Sequence, residues 1–177
     1  MPQFNRTWDE IDIRLLDLLQ SDADQTLREL GDQVGLSPSA VQRRITHYKT
    51  AGLMRTVAVV DTDRAGSLAQ ALVMLTLAEE SPDHHRRISE RLRAQPEVQQ
   101  CYAVSGRWDY AVLLAAPTVR ALRDLSNALF KADENIRRYD TMFIFDTVKS
   151  GSALPGRLLL QPAQRSGWNA GPDLSGA

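Results

Sequence analysis

The stretch Thr26–Leu53, TLRELGDQVGLSPSAVQRRITHYKTAGL, constrains this chain more than any other, because it spells two short helices joined by a tight turn. Thr26 can cap the first helix while Glu29 reaches back to the cap's N–H, and Leu27, Leu30 and Val34 recur on one face. Gly35 ends that helix. Ser37 can then accept from the exposed N–H groups of a new first turn, and Pro38 tolerates the first helical position, where no donor is needed. A second helix therefore starts at once, with Val41, Ile45 and Tyr48 on one stripe and Ser39, Gln42, Arg43, Thr46 and Thr50 on the opposite side. One face packs and the other is free to read, which predicts a helix-turn-helix.

A polar outer face by itself marks any surface helix, and charge separates the two cases. From Val34 to Val60 the charged residues are Arg43, Arg44, Lys49 and Arg55, with no acid among them, in a chain of formal net charge −1. A local basic strip on a near-neutral protein is what docking to the phosphates of double-stranded DNA needs. Gln42 and Arg43 carry donors and acceptors for base edges, while Arg44 and Lys49 are expected on phosphates. Ser37, Ser39, Thr46 and His47 complete the candidate DNA-binding set.

Before this element, Asp9 can cap a helix lined on one side by Ile11, Leu15, Leu18 and Leu19, so that three helices close a small core. After it, Thr56–Val60 is a β-branched run ending in the turn residues Asp61-Thr62-Asp63, read as a wing-like or hinge strand. From Ala69 the order is βαββαβ: a strand over Ala71–Leu77, a helix started by Ser81-Pro82 with Ile88 and Leu92 inward, and strands over Val98–Val104 and Tyr110–Ala115. These two strands flank a hairpin loop, Ser105–Asp109. Thr118 caps the next helix, with Val119, Leu122, Leu125 and Leu129 inward, and Thr141–Val148 is the last strand. A sheet covered by helices on one face leaves its other face partly apolar, which predicts a partner sheet and hence a dimer.

The expected fold is therefore α+β, with a helix-turn-helix domain over residues 1–55, a hinge over 56–68, a ferredoxin-like βαββαβ domain over 69–149 and a flexible tail over 150–177. Leu158-Leu159-Leu160 and Trp168 are the apolar exceptions in that tail. At 177 residues, 43% of them apolar, the chain can bury a core in two small domains. Its single cysteine, Cys101, excludes an intramolecular disulfide and is expected to be a buried inert thiol in a reducing cytoplasm. The N-terminus has no apolar signal segment, and no run approaches a membrane span. No motif calls for a cofactor or a metal.

With both halves in place, the chain resembles the Lrp/AsnC family of transcription regulators over roughly residues 8 to 149. The matching pieces are Asp9-x-x-Asp12 followed by Leu15-Leu16, Leu30 through Val34-Gly35-Leu36-Ser37, Arg44-Ile45, Gly52-Leu53, and the hairpin Gly106-Arg107-Trp108-Asp109-Tyr110. The resemblance implies a C-terminal effector domain of the RAM type, sheet-to-sheet dimers, often octamers, and a small-molecule effector, commonly an amino acid, bound between dimers near that hairpin. Ser105, Gly106, Arg107, Trp108, Asp109 and Tyr110 become candidate effector contacts, and Tyr139 and Thr141 match a region from which relatives add side chains. Gly106 lets a backbone approach a ligand and Asp109 can receive an ammonium group, although both are also ordinary turn residues. Tyr48 stands where the family usually has an aliphatic residue. Arg107 with Trp108 makes the hairpin bulkier and more cationic than usual, which points to an unusual effector or to none.

Two rival readings follow from the same scaffold. Siroheme decarboxylases resemble it but carry histidine near the second sheet strand and its hairpin, whereas the histidines here are His47, His84 and His85. His84 and His85 are adjacent on a helix and point about 100° apart, so they do not share a metal ion. An effector-free protein whose oligomer wraps DNA is the other alternative, and the response to a small molecule separates it from a regulator.

Overall fold

The computed structural model describes residues 8–61, 66 and 68–159. The readings that fall on residues 1–7, on Thr62 and Asp63, on Leu160 and on Trp168 lie outside these. In chain order the elements are α1 (Glu10–Ser21), α2 (Leu27–Val34), α3 (Pro38–Thr50), β1 (Ala69–Leu77), α4 (Pro82–Ala94), β2 (Val98–Ala103), β3 (Tyr110–Ala116), α5 (Val119–Ser126) with a π-helical turn Asn127–Lys131, β4 (Ile136–Phe143) and α6 (Gly156–Leu159). They form two compact units, one running to Ala58 and taking back the segment from Gly151, the other spanning Val59–Ser150.

In the first unit the caps do what their side chains allow. Asp9 and Asp12 exchange reciprocal backbone–carboxylate hydrogen bonds at the start of α1, Thr26 and Glu29 do the same at α2, and Ser37 Oγ accepts from the Ala40 N–H at α3. Gly35 stops α2 at φ 73°, a left-handed conformation that most side chains resist. The apolar stripes meet in a core of Leu15, Leu16, Leu30, Val34, Val41, Ile45 and Tyr48. One acid is buried with them. Asp12 is 1% exposed; its carboxylate accepts from the Tyr48 hydroxyl at 2.6 Å and pairs with the Arg44 guanidinium.

The tail expectation is corrected over 151–159, because this segment docks on α1. The Gln20 side chain donates to the Leu154 carbonyl at 2.8 Å and accepts from the Leu154 N–H at 2.9 Å, while the Gly156 N–H donates to Asp17 Oδ1 at 2.6 Å. A Cβ at Gly156 would stand 2.8 Å from the Ile13 carbonyl oxygen, so only glycine permits this approach.

The second unit is a four-stranded antiparallel sheet in the order β2-β3-β1-β4. Register follows the alternation of side chains. Val73 pairs with Val112 and Thr141, and Leu75 with Tyr110 and Tyr139. This face is the one that packs with Ile88 and Leu92 of α4 and with Leu129 and Phe130 of the π-helical turn. The opposite face carries Leu72 beside Leu113 and Met142, and Met74 beside Ala111 and Asp140.

Several sequence expectations fail for identifiable reasons. Thr56–Val60 finds no partner strand among the described residues and leaves Val59 89% exposed, so its β-branched composition alone does not make a strand. The last strand begins at Ile136 and ends at Phe143, not Thr141 to Val148, because pairing with β1 and not composition sets its limits. Val119 is exposed at the first position of α5, and Cys101 lies exposed on edge strand β2.

Candidate nucleic-acid interface and ligand cavity

The outer face of α3 presents Ser39, Gln42, Arg43, Thr46 and Lys49 to solvent, with Ser37 at its start. Gln42 Nε2 donates to Thr46 Oγ1 at 3.1 Å, which steadies the amide along the helix, and the Ser37 and Ser39 hydroxyls lie 3.1 Å apart. Arg43 and Lys49 make no ion pair among the described residues, so their charge is available to an incoming anion. Ser37, Ser39, Gln42, Arg43, Thr46 and Lys49 are thus all exposed, on or at the start of a helix that itself carries no acid.

Arg44 does not belong to it, and the expectation that it holds phosphate is corrected. Its guanidinium reaches back to α1, with Nη1 and Nη2 on the Asp9 carboxylate at 3.0 and 2.9 Å and Nη1 also on Asp12. Hydrogen bonding to Asp9 and Asp12 raises its pKa further, and the same contact holds the Asp9 carboxyl below the usual carboxylate range. Burial, reinforced by the hydrogen bond to Asp12, pushes the Tyr48 phenol well above its ordinary value. The group Asp9–Arg44–Asp12–Tyr48 is a polar brace between α1 and α3. His47 is likewise drawn inward: its ring packs on Trp8 at 5.7 Å, and Trp8 also covers Tyr48 at 5.8 Å. Sequence reasoning passed over Trp8, and missed the buried role of Asp12 although that acid sits among the apolar positions of α1.

In the second unit a cavity of about 300 Å³ opens between the β2–β3 hairpin and the ends of β1 and β4, lined by Thr76, Leu77, Glu80, Gly106, Arg107, Trp108, Asp109, Arg137 and Arg138. Gly106 adopts φ 117°, where a side chain would be strained, and turns the hairpin over the cavity. Trp108 stacks under two guanidiniums, with Arg107 Cζ 5.4 Å and Arg138 Cζ 5.0 Å from its ring centroid. Arg138 is also held by Asp140, Nη2 to Oδ2 at 2.7 Å.

Asp109 is more than an open loop carboxylate. Its Oδ2 accepts from the Leu77 N–H at 2.7 Å and its own N–H donates to the Leu75 carbonyl at 2.9 Å, so it ties the hairpin to β1 and keeps only part of its acceptor capacity for a ligand. Of the other candidates, Ser105 is exposed outside the lining, and Tyr110, Tyr139 and Thr141 are on the far side of the sheet. Tyr110 is buried, with its hydroxyl 2.7 Å from His85 Nδ1, and burial raises its pKa. The Tyr139 hydroxyl donates to Asn127 at 3.3 Å while its ring packs on Phe130 at 5.6 Å. Thr141 shares the face of Val73. Strand alternation is the reason: positions 139 and 141 fall inward, whereas Arg138 faces the cavity, and Arg137, at the register shift opposite Thr76 and Leu77, lines it as well. Arg137 and Arg138 went unread because the strand was started too late, and Glu80 because it follows the end of β1.

A capped helix pair with an open basic face, joined to an antiparallel sheet unit with a charged hairpin cavity, is the architecture of a DNA-binding regulator that carries a ligand-binding domain. Comparison with known proteins agrees: residues 9–49 match the AsnC-type helix-turn-helix domain and residues 70–154 the Lrp/AsnC ligand binding domain. The chain is 32% identical to the HTH-type transcriptional regulator LrpA of Mycobacterium tuberculosis, over 79% of this chain and 92% of that protein. An AsnC family transcriptional regulator from Agrobacterium tumefaciens has the same fold, with a TM-score of 0.80 at 28% identity over 86% of this chain and 100% of that one. A transcriptional regulator from Neisseria meningitidis, solved as its L-Met complex, superposes with a TM-score of 0.77 at 26% identity, over 87% and 100%. The chain belongs to the Lrp/AsnC family and is a DNA-binding transcriptional regulator, not an enzyme. Among the described residues no helix is long and apolar enough to cross a membrane.

Proposed function

We propose that the protein is a sequence-specific, cytoplasmic regulator whose α3 face reads DNA and whose hairpin cavity takes an amino acid or related small molecule. The open basic face of α3 is the observation that carries this reading: Arg43 and Lys49 are left unpaired where Arg44, one position away, is consumed by two carboxylates. Gln42 and Arg43 have the reach and donors for base edges in the major groove, with Lys49, Ser37, Ser39 and Thr46 positioning the helix on the backbone. Effector binding at the hairpin is supported by the cavity, by the mixed charge of its walls and by the likeness to a regulator solved as its L-Met complex.

Homo-oligomerisation belongs to the same reading. Leu72, Met74 and Leu113 are only partly covered, and Met142 and Tyr102 are 47% and 56% exposed, on the sheet face away from the helices. A second sheet laid on this face would remove that apolar surface from water. A titration of duplex DNA with the full chain, with and without each amino acid, tests the proposal. Affinity that moves with one class of amino acid, and no longer moves in Asp109→Asn, supports the regulator. Affinity that moves with none would favour an oligomer that wraps DNA without an effector.

A further inference from the structure

The hairpin cavity can be matched group by group to a ligand. Its formal charges are the guanidiniums of Arg107, Arg137 and Arg138 and the carboxylates of Glu80 and Asp109. One of these is neutralised within the fold, Arg138 by Asp140, while Asp109 keeps its charge and has one oxygen held by the Leu77 N–H. Among the described residues Arg137 and Glu80 have no ion-pair partner, and Arg107 has only the Trp108 ring, which leaves its N–H groups free to donate. The uncommitted set is therefore two guanidiniums, able to hold two carboxylates, and two carboxylates, Glu80 and the half-engaged Asp109, able to share one ammonium group between them. A neutral amino acid would leave one guanidinium facing an uncharged group, losing a charge-assisted bond that the cavity is built to make.

We propose, resting on the effector reading above, that the cavity is selective for an acidic amino acid. Arg137 and Arg107 each hold one carboxylate. Glu80, helped by the spare oxygen of Asp109, receives the ammonium. The Trp108 ring steadies the planar Arg107 guanidinium above it, so the cation is held ready for a bidentate contact. A bulky aromatic residue, an arginine beside it and Arg137 at the start of β4 then have one common use.

Calorimetric titration of the full chain with L-glutamate, L-aspartate, their amides L-glutamine and L-asparagine, L-leucine and succinate decides the matter. The acidic amino acids should bind about tenfold more tightly than their amides, as the loss of one charge-assisted bond predicts. In Arg137→Ala the acid and its amide should bind alike, and Arg137→Lys should restore part of the difference. Glu80→Gln should weaken the acidic amino acids without affecting succinate. Acids and amides binding equally to the unaltered chain, insensitive to Arg137→Ala, would overturn the acidic class while leaving an amino-acid effector in place. Succinate binding as tightly as L-aspartate would overturn the role of Glu80. Binding of no amino acid at all would overturn the effector reading together with this one.

Discussion

The two units of this molecule are held together in different ways. The helical unit has a buried polar brace at its centre, in which Asp12 is shared by Arg44 and Tyr48, whereas the centre of the sheet unit is a stack of apolar side chains, Val73, Leu75, Val112 and Leu114 among them, with Tyr110 bonded only at its rim. The brace ties α3 to α1, because Arg44 and Tyr48 must meet at the one carboxylate of Asp12, and so it sets how the proposed reading face is presented. The sheet unit tolerates a less specified centre because strand register already determines which residues face the helices. Arginines on neighbouring positions of α3 thus do opposite work: Arg44 holds the unit together and Arg43 is left for a partner.

Removing the shared carboxylate separates the two designs most sharply. Asp12→Ala leaves the Tyr48 hydroxyl buried without its acceptor and takes from Arg44 one of its two partners, and should cost about 4 kcal/mol in denaturant unfolding of the helical unit. Leu75→Ala should cost about 3 kcal/mol in the sheet unit, by lost burial and a cavity, with no dependence on pH between 5 and 8 on the order expected for apolar packing. Tyr48→Phe removes only the hydroxyl contact with Asp12 and should cost about 1.5 kcal/mol, measured in the same way. A loss as large as that of Asp12→Ala would mean that the phenol, not the carboxylate, organises the brace.

Acid should produce the smallest effect, and again in one unit. Arg44 holds the Asp9 carboxyl below its ordinary value of 3.8, and the Thr26 N–H and hydroxyl lower Glu29 from 4.5. Groups lowered in the folded state contribute fully above those ordinary values and lose their contribution as pH falls through the lowered ones. Hydrogen-exchange protection of α1 and α2 should therefore weaken below about pH 4. Equal weakening of β1 and β3 over that range would erase the distinction between the units.

The difference also governs how much of the molecule was legible in its sequence. Caps act within three residues, so Asp9, Thr26, Ser37, Ser81 and Thr118 announce their helices directly. The partners of Arg44 lie 35 and 32 residues away, and the only local trace of them is an acid, Asp12, among the apolar positions of α1. In the sheet unit, a continuous apolar run made β1 readable, but the start of β4 is polar and exposed, so Arg137 and Arg138 gave no strand signal although they line the cavity. Tyr139 and Thr141 were carried over from the family's pattern, and only the register of β4 on β1 shows that they face the core side of the sheet. The docked segment from Leu154 to Gly156 carries no periodicity at all, and its fit depends on Gln20 and Asp17 in a helix at the other end of the chain.

The most direct test of the account is the salt dependence of DNA binding measured side by side for Arg43→Ala and Arg44→Ala, with the thermal unfolding of each. Arg43→Ala should weaken binding by about 1–3 kcal/mol and alter site preference, or reduce the salt slope by about one, while its melting temperature stays that of the unaltered chain. Arg44→Ala should lower the melting temperature first. DNA binding untouched by Arg43→Ala, with Arg44→Ala stable and selectively unable to bind, would contradict the assignment of the reading face.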